Sequence, residues 1–173
     1  MDHYRRILEE TKDLDISLVI PNAGYYKTGR QDHLPVEVIE QMLDVNIYHV
    51  GAVTKLFYQR LLDRTLQKPG IHSGIVTVSS IASCHPVAFG AIYHATKAWV
   101  SYMSEGLQLE VQRADMPWSK MVDVMCLKPG ITVSNMPPAH VRHLATPTDV
   151  VVRGAINNLG QYSETYGYWL HEF

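Results

Sequence analysis

Apolar positions along this chain switch between short runs and a spacing of three to four, and the switches mark its elements. Arg5 to Lys12 is polar and charged and reads as the end of a helix. Ile16 to Ile20 is a short β-branched run closed by Pro21-Asn22-Ala23-Gly24, a strand delivering into a turn. From Val36 to about Arg64 the stripe Ile39, Leu43, Asn46, Val50, Val53, Phe57 and Leu61 predicts one long amphipathic helix with a single amide in its apolar face. Ile75 to Val78 after Gly74 is a buried strand that ends at Ser79 and Ser80. Ala91 to Ala114 is helical again, with Val100, Met103, Leu107 and Val111 along one face. Met121 to Leu127 is a strand halted by Pro129-Gly130, and a polar loop runs from Ile131 to Ala145. Thr146-Pro147-Thr148-Asp149 opens a further helix, with Thr146 as N-cap and Pro147 at the first helical position. Thr165 to Leu170 reads as a last strand.

Strands alternating with helices predict an α/β fold, a parallel sheet of β-α-β units with flanking helices and right-handed crossovers. No repeat, linker or second domain is visible, so residues 1–173 read as one domain. In open sheets of this kind the ligand crevice lies beyond the carboxyl ends of the strands. Asn22, Ser80 and Pro129-Gly130 each follow a predicted strand, so polar candidates gather along one edge.

Composition changes this picture little. The net charge is −2 and no basic stretch stands out, which argues against nucleic acid as a partner. Cys84 and Cys126 lie far apart and the nine histidines do not cluster, so no metal is expected. The cysteines read as reduced thiols of a cytosol-facing protein. No apolar run approaches a membrane span and the first residues do not form a signal peptide.

The informative chemistry is Tyr93 and Lys97, four residues apart on a predicted helix, with Ser80 thirteen positions earlier. That spacing puts a phenol and an ammonium on one helical face, where they could run acid–base chemistry on an alcohol or a ketone. Each residue also has a plainer explanation. The pair could be a surface contact in which the lysine covers the ring. Asn46 could make a helix–helix hydrogen bond, Ser79 and Ser80 could shape a turn, and Pro129-Gly130 could be a simple loop.

Taken together, Asn22-Ala23-Gly24 after a strand, Asn46 in the next helix, Ser79-Ser80, Tyr93-x-x-x-Lys97, and Pro129-Gly130 with Ser134 resemble the short-chain dehydrogenases/reductases. The resemblance runs from about Asp15 to the C-terminus and implies a Rossmann-like sheet. It implies that Tyr93 is the general acid or base, and that Lys97 favours the phenolate and holds the nicotinamide ribose. Ser80 would bond the substrate oxygen, and Asn46 would hold a water connecting Lys97 to solvent. Asn22, Ala23 and Gly24 would pass the adenosine side of the cofactor. Pro129, Gly130, Ile131 and Ser134 would grip the nicotinamide carboxamide, with serine where the family usually has threonine.

One family feature is missing. A dinucleotide fold needs a glycine-rich turn after its first strand, and no two of the eleven glycines lie two residues apart, so G-x-G does not occur. Gly70 and Gly74 have the offset of G-x-x-x-G-x-G, but position 76 is Val76. The family places a β-α-β-α-β half before the Ile16 strand, so the chain reads as a truncated reductase whose Ile16–Ile20 edge is open to aggregation. Pro21 also stands where the family has asparagine.

The tail from Glu164 to Phe173 and the Thr146-Pro147-x-Asp149 helix are similar to the 17β-hydroxysteroid dehydrogenase and very-long-chain 3-oxoacyl-CoA reductase branch. That resemblance implies NADP (as NADPH) as cofactor, a lipophilic substrate (a 3-oxoacyl-CoA or a steroid), and a place at the endoplasmic reticulum. A complete chain as given would instead be cytoplasmic. Two expectations compete: an NADP-dependent oxidoreductase, and a non-catalytic remnant that binds a partner. In the family the helix spanning 91–114 packs against its copy in a homodimer. Trp99, Tyr102 and Leu109 could line such an interface, although ordinary core packing is slightly favoured for them. A serine hydrolase built on Ser80 with His85 or His94 is a poor fit, because no G-x-S-x-G elbow surrounds Ser80.

Overall fold

The computed structural model describes residues 2–113, 115–119, 121–136 and 139–172. Its four strands, β1 (Leu18–Val19), β2 (Ser73–Val78), β3 (Val122–Leu127) and β4 (Glu164–Thr165), form one parallel sheet in that order. The helices are α1 (Asp2–Glu10), α2 (Val36–Leu43), α3 (His49–Gln67), α4 (Ala91–Val111) and α5 (Thr148–Asn158). This is the α/β arrangement the alternating pattern implied, with consecutive parallel strands joined through helices.

The strand pleat decides which helix goes where. Ile75 of β2 and Val124 of β3 face α3 and α4, where they pack with Phe57, Leu61, Leu62 and Val111 in two adjoining clusters. Their neighbours Val76 and Met125 point the other way, onto Val151 and Ala155 of α5. Both faces of β2 and β3 are therefore covered, as near-continuous apolar runs in a parallel sheet require.

Several elements differ from the expected spans. The strand expected over Ile16–Ile20 shrinks to Leu18–Val19, paired with Gly74 and Ile75. Pro21 has no N–H to extend the ladder, and Ile16 is drawn into a turn through its N–H to the Leu14 carbonyl (3.1 Å). The strand expected over Thr165–Leu170 covers only Glu164–Thr165, followed by a 3₁₀ turn over Trp169–Glu172. Gly167 breaks it with a φ of +72°, a left-handed conformation that suits glycine. Thr146 does not cap α5. The cap position is Pro147, and the Thr146 hydroxyl lies 3.0 Å from His171 Nε2 instead.

The long helix over 36–64 is interrupted. Between α2 and α3, Asp44–Tyr48 forms a π turn, closed by the His49 N–H on the Asp44 carbonyl. A π turn holds more residues than an α turn, so the buried stripe shifts by one position ahead of it. Met42 is buried (0 % exposed) and Leu43, placed in the stripe by regular spacing, is exposed (42 %). On α4 the buried face is more polar than Val100, Met103, Leu107 and Val111 suggested: it carries Tyr93, Thr96, Lys97, Val100, Ser104 and Val111. Core packing for the off-stripe residues is also corrected, since Tyr102 is 81 % and Leu109 65 % exposed, and Trp99 lies near the surface. Ala114, the expected end of this helix, lies outside the described residues.

Candidate active site

The site lies where β2 ends and α4 begins. β2 runs into Ser79 and Ser80, and α4 starts a few residues later, packed on β2 and β3. Tyr93 and Lys97 sit on the first turns of α4 and face inward, 7 % and 3 % exposed. A surface contact is thereby excluded. The Lys97 Nζ lies 5.9 Å from the centre of the Tyr93 ring, on the same face. The Ser80 side chain stands close enough to the Tyr93 phenol to lower its pKa.

The electrostatics of the pair correct one expectation. Lys97 does not pull the Tyr93 proton off. Burial pushes the phenol up to about 12, the Ser80 side chain draws it back only in part, and Tyr26 adds to the rise. Lys97 is itself brought down to about 8 by burial. Its Nζ donates to the Val78 carbonyl at 2.9 Å, its one hydrogen bond among the described residues. The ammonium therefore keeps donors available beside the phenol.

Asn46 occupies the π turn, fully buried. Its Nδ2 donates to the Tyr25 carbonyl (2.9 Å) and to Thr96 Oγ1 (3.0 Å), and its Oδ1 accepts from the Tyr25 N–H (2.7 Å). The helix–helix hydrogen bond considered for Asn46 is thus present, reaching α4. Both amide protons are engaged, so a bound water would have to use the second Oδ1 lone pair or the main chain. Ser80 also serves its turn, accepting from the Ala82 N–H (3.1 Å) at the start of Ile81–Ser83. Its neighbour Ser79 donates to the Lys97 carbonyl (2.7 Å) and fixes α4 to the strand end.

The segment after β1 reaches the same place through Gly24. A Cβ added there would lie 3.5 Å from Lys97 Nζ, 3.6 Å from Met136 Cε and 3.8 Å from Asn46 Oδ1. Asn22 and Ala23 are exposed beside it. Pro129, Gly130 and Ile131 continue from β3 and are half-buried. The Pro129 carbonyl accepts the Ile81 N–H (3.1 Å), which joins the two strand ends. Ser134 is exposed and its hydroxyl accepts from the Met136 N–H (3.2 Å). The structure therefore unites Ser80, Tyr93, Lys97, Asn46 and Gly24. It places Pro129, Gly130 and Ile131 alongside and leaves Asn22, Ala23 and Ser134 at the surface.

Three neighbours escaped the sequence reading. Tyr26 meets Tyr93 edge-on, centroids 4.7 Å apart at 85°. Met136 comes back over Gly24, and His171 lies on Gly130. Only the aromatic pair directly after Gly24 offered a hint, since a residue two beyond a site glycine has little room to leave the site.

Comparison with known proteins identifies the family. The family model described as short chain dehydrogenase matches residues 1–144, and the chain belongs to that family. Among curated relatives it is 29% identical over 177 residues to a very-long-chain 3-oxoacyl-CoA reductase of Anas platyrhynchos, covering 99% of this chain and 53% of that protein. It is 30% identical over 175 residues to the inactive hydroxysteroid dehydrogenase-like protein 1 of Mus musculus, covering 97% and 49%. The chain spans about half the length of the curated relatives it matches. A solved short-chain dehydrogenase from Sphingobium yanoikuyae, in complex with NADPH, superposes with a TM-score of 0.75 at 23% identity, over 91% of this chain and 58% of that one. That likeness establishes the Rossmann-like fold.

Proposed function

We propose that this chain carries the proton-transfer wall of an NADP-dependent oxidoreductase that interconverts a ketone and a secondary alcohol on a lipophilic substrate, a 3-oxoacyl-CoA or a steroid. The observation that carries the reading is the buried Tyr93 phenol, with the Ser80 side chain acting on it from one side and the Lys97 ammonium flanking its ring. A phenol held at about 12 stays protonated at neutral pH, which suits it to give a proton to a carbonyl oxygen becoming an alkoxide. Ser80 hydrogen-bonds the same oxygen and stabilises the charge developing on it. Lys97 adds positive charge behind the ring and, through its free donors, holds the ribose. In the alcohol-to-ketone direction Tyr93 takes the proton back.

NADPH, when bound, supplies the hydride. The residues present fit one end of it. Tyr93, Lys97 and the backbone at Pro129, Gly130 and Ile131 suit the nicotinamide riboside, with Ser134 at the rim and Asn22, Ala23 and Gly24 toward the adenosine side. For the pyrophosphate this chain offers no G-x-G turn. Support for a lipophilic substrate comes from the exposed apolar residues Ile81, Val87, Phe89, Val133 and Met136 on the segments around the pair, and from the name of the duck relative. Exposed Tyr102 and Leu109 on α4 support a homodimer through that helix. None of the described helices is long and apolar enough to cross a membrane; the branch resemblance supports a place at the endoplasmic reticulum.

A second reading, a non-catalytic chain that binds a partner, is favoured by the missing G-x-G and by the "inactive" in the mouse relative's name. One pair of assays separates them. Titrated with NADPH, the 173-residue chain is expected to show no saturation below about 0.1 mM; tight binding would overturn the cradle argument. Joined behind a glycine-rich β-α-β half from a relative, it is expected to reduce a 3-oxoacyl-CoA or a steroid ketone and to lose about 10²-fold or more of that turnover in Tyr93→Phe. Turnover unchanged in Tyr93→Phe removes the phenol from its role, and absence of any turnover favours the second reading.

A further inference from the structure

The last described turn, Trp169–Glu172, folds back onto the carboxyl end of β3 and lays the His171 imidazole against Gly130. A Cβ at residue 130 would fall 2.6 Å from His171 Cδ2, so only glycine leaves room for the ring. The Gly130 N–H donates to His171 Nδ1 at 3.1 Å, and His171 Nε2 lies 3.0 Å from Thr146 Oγ1. A backbone N–H can only donate, so Nδ1 must carry the lone pair. The proton of the neutral ring then sits on Nε2 and is given to the Thr146 hydroxyl. Tyr168 supports the ring edge-on, centroids 5.5 Å apart.

Gly130 and Thr146 are the two feet of the loop that carries Ile131, Ser134 and Met136. They are already close through the backbone: the Thr146 N–H reaches the Ile131 carbonyl (2.8 Å), and the Val133 N–H reaches the Thr146 carbonyl (2.9 Å). One imidazole bridges both. Directly before Gly130, the Pro129 carbonyl accepts the Ile81 N–H and faces Ser80 Oγ at 3.5 Å. A short line of contacts therefore runs from the tail imidazole through Pro129-Gly130 to Ser80, whose side chain acts on the Tyr93 phenol.

We propose that His171 is a positioning residue: in its Nε2-protonated form it clamps the two feet of the 131–145 loop and thereby fixes the Gly130 turn beside Ser80. It touches neither the phenol nor a substrate and acts through the backbone it holds. Its bearing on catalysis rests on the Tyr93–Ser80 reading above, but the clamp is measurable without it.

The test uses the 173-residue chain labelled with ¹⁵N. At a pH where the ring is neutral, the ring-nitrogen spectrum of His171 is expected to show a bare Nδ1 and a protonated Nε2. The reverse tautomer would overturn the proposal. Amide exchange at Gly130 should accelerate about tenfold or more in His171→Leu. His171→Gln, whose carbonyl and amino groups can imitate the two ring nitrogens, should restore most of the protection. Equal exchange in wild type and His171→Leu, or a glutamine variant no better than leucine, sinks the clamp. Should the leucine variant fail to fold, the wild-type tautomer and the glutamine variant still decide. A confirmed clamp together with an active Tyr93→Phe would discard the proton-transfer reading and leave the clamp standing.

Discussion

The wall formed by the end of β2 and the start of α4 holds its site residues in a different way from the segment that follows β1. On the wall, Ser80, Tyr93 and Lys97 are fixed by crossing elements: Ser79 is bonded to the Lys97 carbonyl, Lys97 to the Val78 carbonyl, and Asn46 to both Tyr25 and Thr96. After β1, Asn22 and Ala23 follow a strand of two paired residues and lie exposed. The buried residues of the wall are held by packing on two elements. The exposed ones after β1 rest on backbone alone, and Gly24 joins the two regimes by lying against Lys97.

The comparison breaks most readily at Asn46. Asn46→Ala removes three hydrogen bonds and strands the Tyr25 N–H and carbonyl, so a loss of about 3 kcal/mol is expected in urea unfolding. A loss below about 1 kcal/mol would show that the π turn does not depend on this amide. Lys97 sharpens the contrast through pH. Its folded pKa is depressed from 10.5 to about 8, so its contribution is complete above the unfolded value and is lost as pH falls through 8. Tyr93 works oppositely, its contribution present below 10.0 and lost as pH rises toward about 12. Between pH 8 and 10 the lysine acts alone of the two, and wild type should gain on the order of 2 kcal/mol relative to Lys97→Met. Parallel stability curves for the two proteins would refute the buried-ammonium assignment.

Smaller effects are expected beyond β1. Ile20→Lys places a charge at the exposed sheet edge and should keep the chain monodisperse at higher concentration, measured by light scattering, with stability shifted by about 0.5 kcal/mol or less. No change in self-association would mean that the edge is not the adhesive surface. Asn22→Ala should move stability by under about 0.5 kcal/mol, since the residue is exposed. A larger loss in thermal unfolding would erase the distinction between the two regions.

The order of strands and helices was legible because each buried strand is a short apolar-rich run ended by polar or glycine-containing turns. The site residues were legible for a different reason: their order and spacing resemble a family. Ser80, Tyr93 and Lys97 then prove to lie together, which spacing alone did not require. What was hidden depended on contacts between distant segments. The Thr146 hydroxyl had the look of a cap until the tail brought His171 to it. The rise of the Tyr93 pKa reflects burial that no i, i+4 spacing reveals. Leu43 and Met42 exchanged places because regular spacing assumes a uniform helix, and the π turn is not one.

That turn makes the stretch from Val36 to Gln67 one residue richer than a straight helix over the same path. Excising a single position, Val45 for example, would let the rod run unbroken, with Met42 three residues before Asn46 in the inward place that regular spacing gives Leu43. Without that excision, winding the whole stretch as a uniform α-helix would swivel its leading half by roughly a hundred degrees, turning Met42 to water and Leu43 to the interior. The surplus residue thus behaves as a built-in shim, setting how the approach to the lysine is aimed.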